Sequence, residues 1–250
     1  ERTWNPIRGC SMVSAGCTHC YAMRQAHRFA GPGQPYEGLT RLGPQGPVWT
    51  GRVELIENKL MEPLRWRKPR RVIVNSMSDL FHEGLSLESI ASVFSVMACA
   101  TLACRHRFSD LNRHDGECWS GPPHTFQVLT KRSRRMREVL RDLPDWAGEH
   151  LPGDGALSVA MDARNWPLPN VWLGVSVEDQ ATADARIPDL LATPAAVRFV
   201  SAEPLLGAID LSQWTGYYPI HEVSHERPES VLDGGVWRIS DRRAGEYLES

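Results

Sequence analysis

Three cysteines fall within eleven residues, Cys10, Cys17 and Cys20, the last two as C-x-x-C. Two residues between cysteines let both sulfurs turn onto one metal centre, and Gly9 and Gly16 let the backbone curl so that Cys10 reaches the same point. Three thiolates from one loop, with no fourth nearby, suit a [4Fe–4S] cluster that keeps one iron open for a ligand or substrate. A structural zinc site asks instead for a closed set of four ligands. The other readings are zinc completed by His19 or a distant residue, a disulfide, and plain buried cysteines. His19 stands between the two close cysteines, so its side chain is expected to point away from the metal.

These residues need a scaffold, and the composition supplies one. In 250 residues, 42% are hydrophobic and 23% charged, the make-up of a globular α/β domain rather than a disordered or fibrous chain. No window approaches the roughly 18–20 apolar residues of a membrane span, and no apolar signal stretch precedes the cysteines. A cytoplasmic location without membrane association is expected. Six cysteines, half of them in one loop, point to metal chemistry in a reducing compartment rather than a disulfide framework. A net charge of −2 argues against a cationic nucleic-acid coat. Two basic clusters, Arg65–Arg71 and Lys131–Arg137, could nevertheless neutralise phosphates, with Trp66 stacking on a base; the alternative is a pair of solvated faces.

Past the cysteines, Tyr21 to Ala30 reads as a short helix ended by Gly31-Pro32-Gly33, and a Gly/Pro-rich stretch to about Thr50 reads as a long loop. Strands then alternate with helices. Arg52–Ile56 is followed by a helix from Asn58 to Trp66, Val72–Val74 by one from Leu87 to Cys99, and Thr125–Leu129 by one from Ser133 to Leu140. Val171–Val175 precedes a helix from Thr182 to Leu191, and Val197–Val200 comes last. With a strand before Cys10 this makes about six β/α units, a parallel sheet expected to curl into a partial (β/α)6 or near-complete TIM-like barrel. In such a fold the active site lies at the carboxyl ends of the strands. The residues following the strands are polar there: the cysteine loop, Asn75-Ser76-Met77-Ser78-Asp79, Thr130-Lys131-Arg132, Ser176-Val177-Glu178-Asp179 and Ser201-Ala202-Glu203. Each could instead cap the helix that follows.

Ordered along the chain, Trp4-Asn5-Pro6, Gly9-Cys10, Gly16-Cys17, Cys20-Tyr21-Ala22, the run from Asn75 to His82, the run from Gln127 to Arg132, the run from Leu173 to Glu178 and the run from Ser201 to Leu205 resemble a phage- and prophage-associated family of undefined function with a three-cysteine motif, similar to the radical S-adenosylmethionine (SAM) enzymes. The resemblance covers residues 1–214, taken as one barrel domain with an insertion at about 100–123; residues 215–250 form a divergent extension. It implies a [4Fe–4S] cluster on Cys10, Cys17 and Cys20, SAM chelating the open iron, and a one-electron reductant of the flavodoxin or ferredoxin type. It further implies that Asn75, Ser76, Ser78 and Asp79 surround the SAM amino group or the cluster, that Lys131 or Arg132 neutralises the SAM carboxylate, and that Ser176 and Glu178 hold ribose hydroxyls. Lys131 and Glu203 are the candidate catalytic residues, Glu203 binding a polar substrate group. The implied activity is hydrogen abstraction by a 5′-deoxyadenosyl radical from a nucleic acid or nucleotide; the alternative is a non-catalytic, metal-stabilised nucleic-acid-binding protein.

Three features depart from the pattern. The Cys10–Cys17 spacing is longer than usual in radical SAM enzymes, and His19 replaces an aromatic residue. The insertion carries Cys104, Cys118, His106 and His114, with Cys99 just before it, as a candidate second metal site. After Trp214 the resemblance fades, so the sheet is expected to stay open or to close with a substitute element.

Overall fold

The structure is a computed structural model that describes residues 1–100, 124–150, 166–215 and 236–238. In chain order its strands are β1 (Arg2–Trp4), β2 (Ile7–Arg8), β3 (Thr40–Gly43), β4 (Gly46–Trp49), β5 (Glu54–Leu55), β6 (Arg71–Val74), β7 (Thr125–Thr130), β8 (Val171–Ser176), β9 (Val197–Ser201) and β10 (Val236–Arg238). Its helices are α1 (Tyr21–His27), α2 (Glu57–Leu60), α3 (Leu87–Cys99), α4 (Ser133–His150), α5 (Gln180–Leu191) and α6 (Ser212–Thr215).

The main sheet has the order β1-β6-β7-β8-β9-β10. The first five strands are parallel, and β10 joins β9 antiparallel. Parallel neighbours need crossover connections, and here one face of the sheet is buried while the other is partly open: β6 and β7 alternate, with Ile73 exposed and Gln127 and Leu129 half-buried. Phe126, Val128, Leu173, Val175 and Val200 are buried accordingly. Gly174 lets β8 and β9 pack closely, because a Cβ there would land on the Phe199 ring.

The helices follow from local chemistry. Ser86 caps α3 by accepting the Ser89 N–H, and Asp179 and Thr182 form a capping box at the start of α5. In α4, Met136, Leu140, Leu143 and Ala147 recur at three- and four-residue steps and form the buried stripe against the sheet. Among the described residues no helix is long and apolar enough to cross a membrane.

Two expectations change. The Arg52–Ile56 strand shrinks to β5 and leaves the main sheet: Pro6 accepts the Ile56 N–H at 2.7 Å, and β5 pairs antiparallel with β2. The main sheet therefore has five parallel strands rather than six. The expected loop before Thr50 contains the β3–β4 hairpin, whose Thr40 and Trp49 are paired and buried. The sixth place in the sheet is taken by β10, which residues 215–250 contribute. The insertion at about 100–123 lies outside the described residues except for Ala100.

Candidate metal and cofactor site

All parallel strands point their carboxyl ends the same way, and the cysteine loop sits there. Gly9 bridges Ser78 in parallel fashion. Its φ of 82° and the Arg52 carbonyl, on which a Cβ would land, admit only glycine. A 3-10 turn (Ala15–Cys17) follows, and Cys20 is the residue before α1. All three cysteines are free and half-buried. Burial, helped by the charge of Asp79, pushes the Cys10 thiol up to about 12, so a metal must displace a proton there.

Arg132, at the end of β7, is buried against this loop. Its Nη1 lies 3.8 Å from Cys10 Sγ and 3.0 Å from Asp79 Oδ2, and its Nη2 donates to the Ser11 carbonyl at 3.2 Å and the Ser11 hydroxyl at 2.7 Å. Nε donates to Glu83 at 2.8 Å. Arginine has five N–H donors, and all five are engaged. Burial works against the guanidinium charge, but Asp79 and Glu83 outweigh it and raise the pKa.

Glu178, just past β8, is 0% exposed. It accepts the Ser14 hydroxyl at 2.7 Å and the Gly16 N–H at 3.1 Å from the cysteine loop. It also accepts Lys131 Nζ at 2.6 Å and Arg186 Nη1, from α5, at 3.3 Å. A Cβ on Gly16 would land on the Glu178 carboxyl. Because Ser14 gives its only proton to Glu178, Cys17 is the donor in the 3.9 Å contact between its sulfur and the Ser14 oxygen. Lys131 gives a second N–H to the Glu203 carbonyl at 3.2 Å, which leaves one of its three donors unspent among the described residues.

The segment after β6 closes the other side. Asn75 adopts φ 58°, accepts the Ile7 N–H on Oδ1, and buries an Nδ2 that has no partner among the described residues. Ser76 donates to Asn5 Oδ1 and Ser78 to the Ile7 carbonyl. Asp79 accepts Thr130 Oγ1 with both oxygens and the Lys131 N–H with Oδ2. His82 Nδ1 accepts the Gly84 N–H, so Nε2 carries the proton and donates to Ser11 Oγ at 2.8 Å; burial, reinforced by Arg132, lowers its pKa. Tyr21 donates to the Ser76 carbonyl at 2.7 Å. Ser176 is buried, its carbonyl taken by Arg186 at 2.7 Å. The Glu203 carboxylate makes no hydrogen bond or ion pair among the described residues.

Most of the sequence-predicted residues thus converge: Asn75, Ser76, Ser78, Asp79, Lys131, Arg132 and Glu178 bond to the cysteine loop, to the residues just before it or to one another, Glu203 joins them through its carbonyl on Lys131, and Ser176 is tied only by its carbonyl to Arg186. Sequence reasoning missed Asn5, Ser11, Ser14, His82, Glu83 and Arg186 as parts of the site. For Ser11 and Ser14 the signal was their position between cysteines; for Arg186 there was none. Among the described residues no set of three or more Cys, His, Asp or Glu side chains forms a ready-made metal cage. The donor chemistry does suit an iron–sulfur cluster: three free thiols from one loop, with a guanidinium beside one sulfur to offset thiolate charge.

The basic clusters behave otherwise. Trp66 is buried in the core with the Arg2 and Arg70 guanidinium groups over its ring, so it is not available to stack on a base. Arg65–Arg71 leads into the amino end of β6, away from the cysteine loop. In the second cluster Arg134 pairs with Glu138, Arg137 with Asp189, and Arg135 donates to the Leu85 carbonyl. Of the candidate second metal site only Cys99, half-buried at the end of α3, is described; Cys104, His106, His114 and Cys118 lie outside the described residues.

No curated protein and no solved structure matches the chain. One family model does, over residues 1–118 and 116–235, and it is described as a protein of unknown function, DUF5131. These matches run through the cysteine loop and every strand end around it, and the chain belongs to the DUF5131 family.

Proposed function

We propose that this chain is a radical SAM enzyme with a [4Fe–4S] cluster on Cys10, Cys17 and Cys20, and that the five parallel strands form part of a TIM-like barrel around it. When bound, the cluster supplies the electron that cleaves SAM to a 5′-deoxyadenosyl radical, delivered in turn by a flavodoxin- or ferredoxin-type reductant. The observation that carries the reading is the position of three free thiols, on one loop, against the carboxyl ends of parallel strands.

The chain's own groups divide the remaining work. Lys131, with one N–H unspent, is the group to meet a SAM carboxylate, because Arg132 has none left. The orphaned Asn75 Nδ2 awaits an acceptor. The Glu203 carboxylate, unpaired among the described residues, is the candidate catalytic group that would bind a polar part of the substrate. Arg132 lays a positive charge beside the Cys10 sulfur. For a nucleic-acid or nucleotide substrate, the exposed Arg65, Arg67 and Lys68 are what remains as phosphate-binding surface.

The test is anaerobic iron–sulfur reconstitution, with EPR after dithionite and again with SAM added. A reduced-cluster signal that changes with SAM, 5′-deoxyadenosine as product, and loss of both in Cys10→Ala, Cys17→Ala and Cys20→Ala are expected. Stoichiometric zinc without an iron-dependent signal would overturn the reading in favour of a structural metal loop in a nucleic-acid-binding protein.

A further inference from the structure

Six residues separate Cys10 from Cys17, and three of them are gripped by side chains from the distant half of the chain. Arg132, at the carboxyl end of β7, holds Ser11 through both its carbonyl and its hydroxyl. Glu178, at the carboxyl end of the neighbouring strand β8, holds Ser14 and the Gly16 N–H. Lys131 ties the two anchors together, giving Nζ to Glu178 and its backbone N–H to Asp79, which also holds Arg132. Each anchor is braced from behind, Arg132 by Asp79 and Glu83, Glu178 by Arg186.

The geometry points to Arg132 and Glu178 as positioning residues, a two-point clamp that shapes the Cys10–Cys17 segment before a metal arrives. Ordering a flexible span between two ligands costs conformational entropy at the moment of binding. Charge-assisted hydrogen bonds from buried, braced groups meet that cost in the folded protein instead. The longer spacing between Cys10 and Cys17 is then a segment with two handholds, and the glycine at 16 is the handhold that lets the Glu178 carboxyl come close. The inference rests on reading the loop as a cluster site, but its first test needs no cluster.

The full-length chain is compared with Ser14→Ala, Gly16→Ala, Glu178→Gln and Glu178→Ala. In the cluster-free proteins, amide hydrogen exchange across residues 10–17 is expected to rise about tenfold or more in Ser14→Ala, Gly16→Ala and Glu178→Ala, while β7 and β8 stay protected. Glu178→Gln, which keeps an acceptor oxygen, falls between. After reconstitution, the visible absorbance of the cluster should decay about tenfold faster in the same three variants, the scale on which outer partners act on metal sites. If Glu178→Ala loses protection throughout the sheet, Ser14→Ala, which removes only the contact on the loop side, decides. Unchanged exchange over 10–17 in Ser14→Ala and Gly16→Ala overturns the clamp, as does cluster retention equal to wild type in both. A wild-type protein that takes up no cluster overturns the radical SAM reading and leaves the exchange comparison to judge the clamp.

Discussion

At the scale of single residues, Glu178 carries the clearest electrostatic signature. Burial alone pushes its carboxyl up, but hydrogen bonds from Lys131 and Ser14 and the charges of Lys131 and Arg186 outweigh burial and hold it at about 2. A carboxylate depressed on folding contributes stability above its ordinary value of 4.5 and loses that contribution as pH falls towards 2. The stability gap between wild type and Glu178→Gln, measured by urea unfolding, should be flat at neutral pH and shrink progressively below pH 4.5; a gap that persists unchanged into strong acid would contradict the ion network. Gly9→Ala is expected to cost about 1–3 kcal/mol, seen as a lower urea midpoint, because its backbone is left-handed and the Arg52 carbonyl blocks a Cβ. The sequence made the strand ends legible as a polar rim, so Lys131, Arg132, Asp79 and Glu178 could be named together. It did not reveal their partners. Arg132 read as a binder of a SAM carboxylate, yet all five donors are spent on Cys10, Ser11, Asp79 and Glu83, and nothing in local spacing says which opposite charge a buried group will face.

At the scale of elements, β6 to β9 were readable because short apolar runs stood between polar turns, and α3 because a dense apolar stretch from Leu87 to Cys99 marked it. The β3–β4 hairpin was not, since strands of four residues with Gly43 and Gly46 beside the turn look like a glycine-rich loop. β5 was readable as a strand but not as a partner of β2, because pairing depends on where Pro6 sends the chain. Close packing between β8 and β9 gives a direct test. Gly174→Ala drives a methyl group into the Phe199 ring and should cost about 1–3 kcal/mol, measured as a fall in Tm. Removing the α5 cap with Asp179→Ala should cost about 1 kcal/mol by the same measurement.

At the scale of the whole molecule, the two basic runs divide between core and surface. In Lys131–Arg137, Arg132 is buried and Arg135 and Arg137 are tied to the fold while Arg134 stays exposed beside Glu138, and Trp66 in Arg65–Arg71 belongs to the core. Trp66→Ala is therefore expected to cost about 3–5 kcal/mol in stability, whereas neutralising the exposed Arg67 and Lys68 together should leave the urea midpoint within about 0.5 kcal/mol of wild type. Equal effects of the two changes would show that the segment is not divided between core and surface. The clamp on the cysteine loop also orders events in time. Gly16 leaves the ribosome 162 residues ahead of Glu178, its anchor. At roughly 5–20 residues per second that is a wait of about 8–30 s. Throughout it the three thiols sit on an unfinished chain that lacks the second of its two anchors. Whatever the loop is to carry should therefore be delivered after β8 has been synthesised, and oxidation of the waiting thiols is the hazard that a cell making this protein has to guard against.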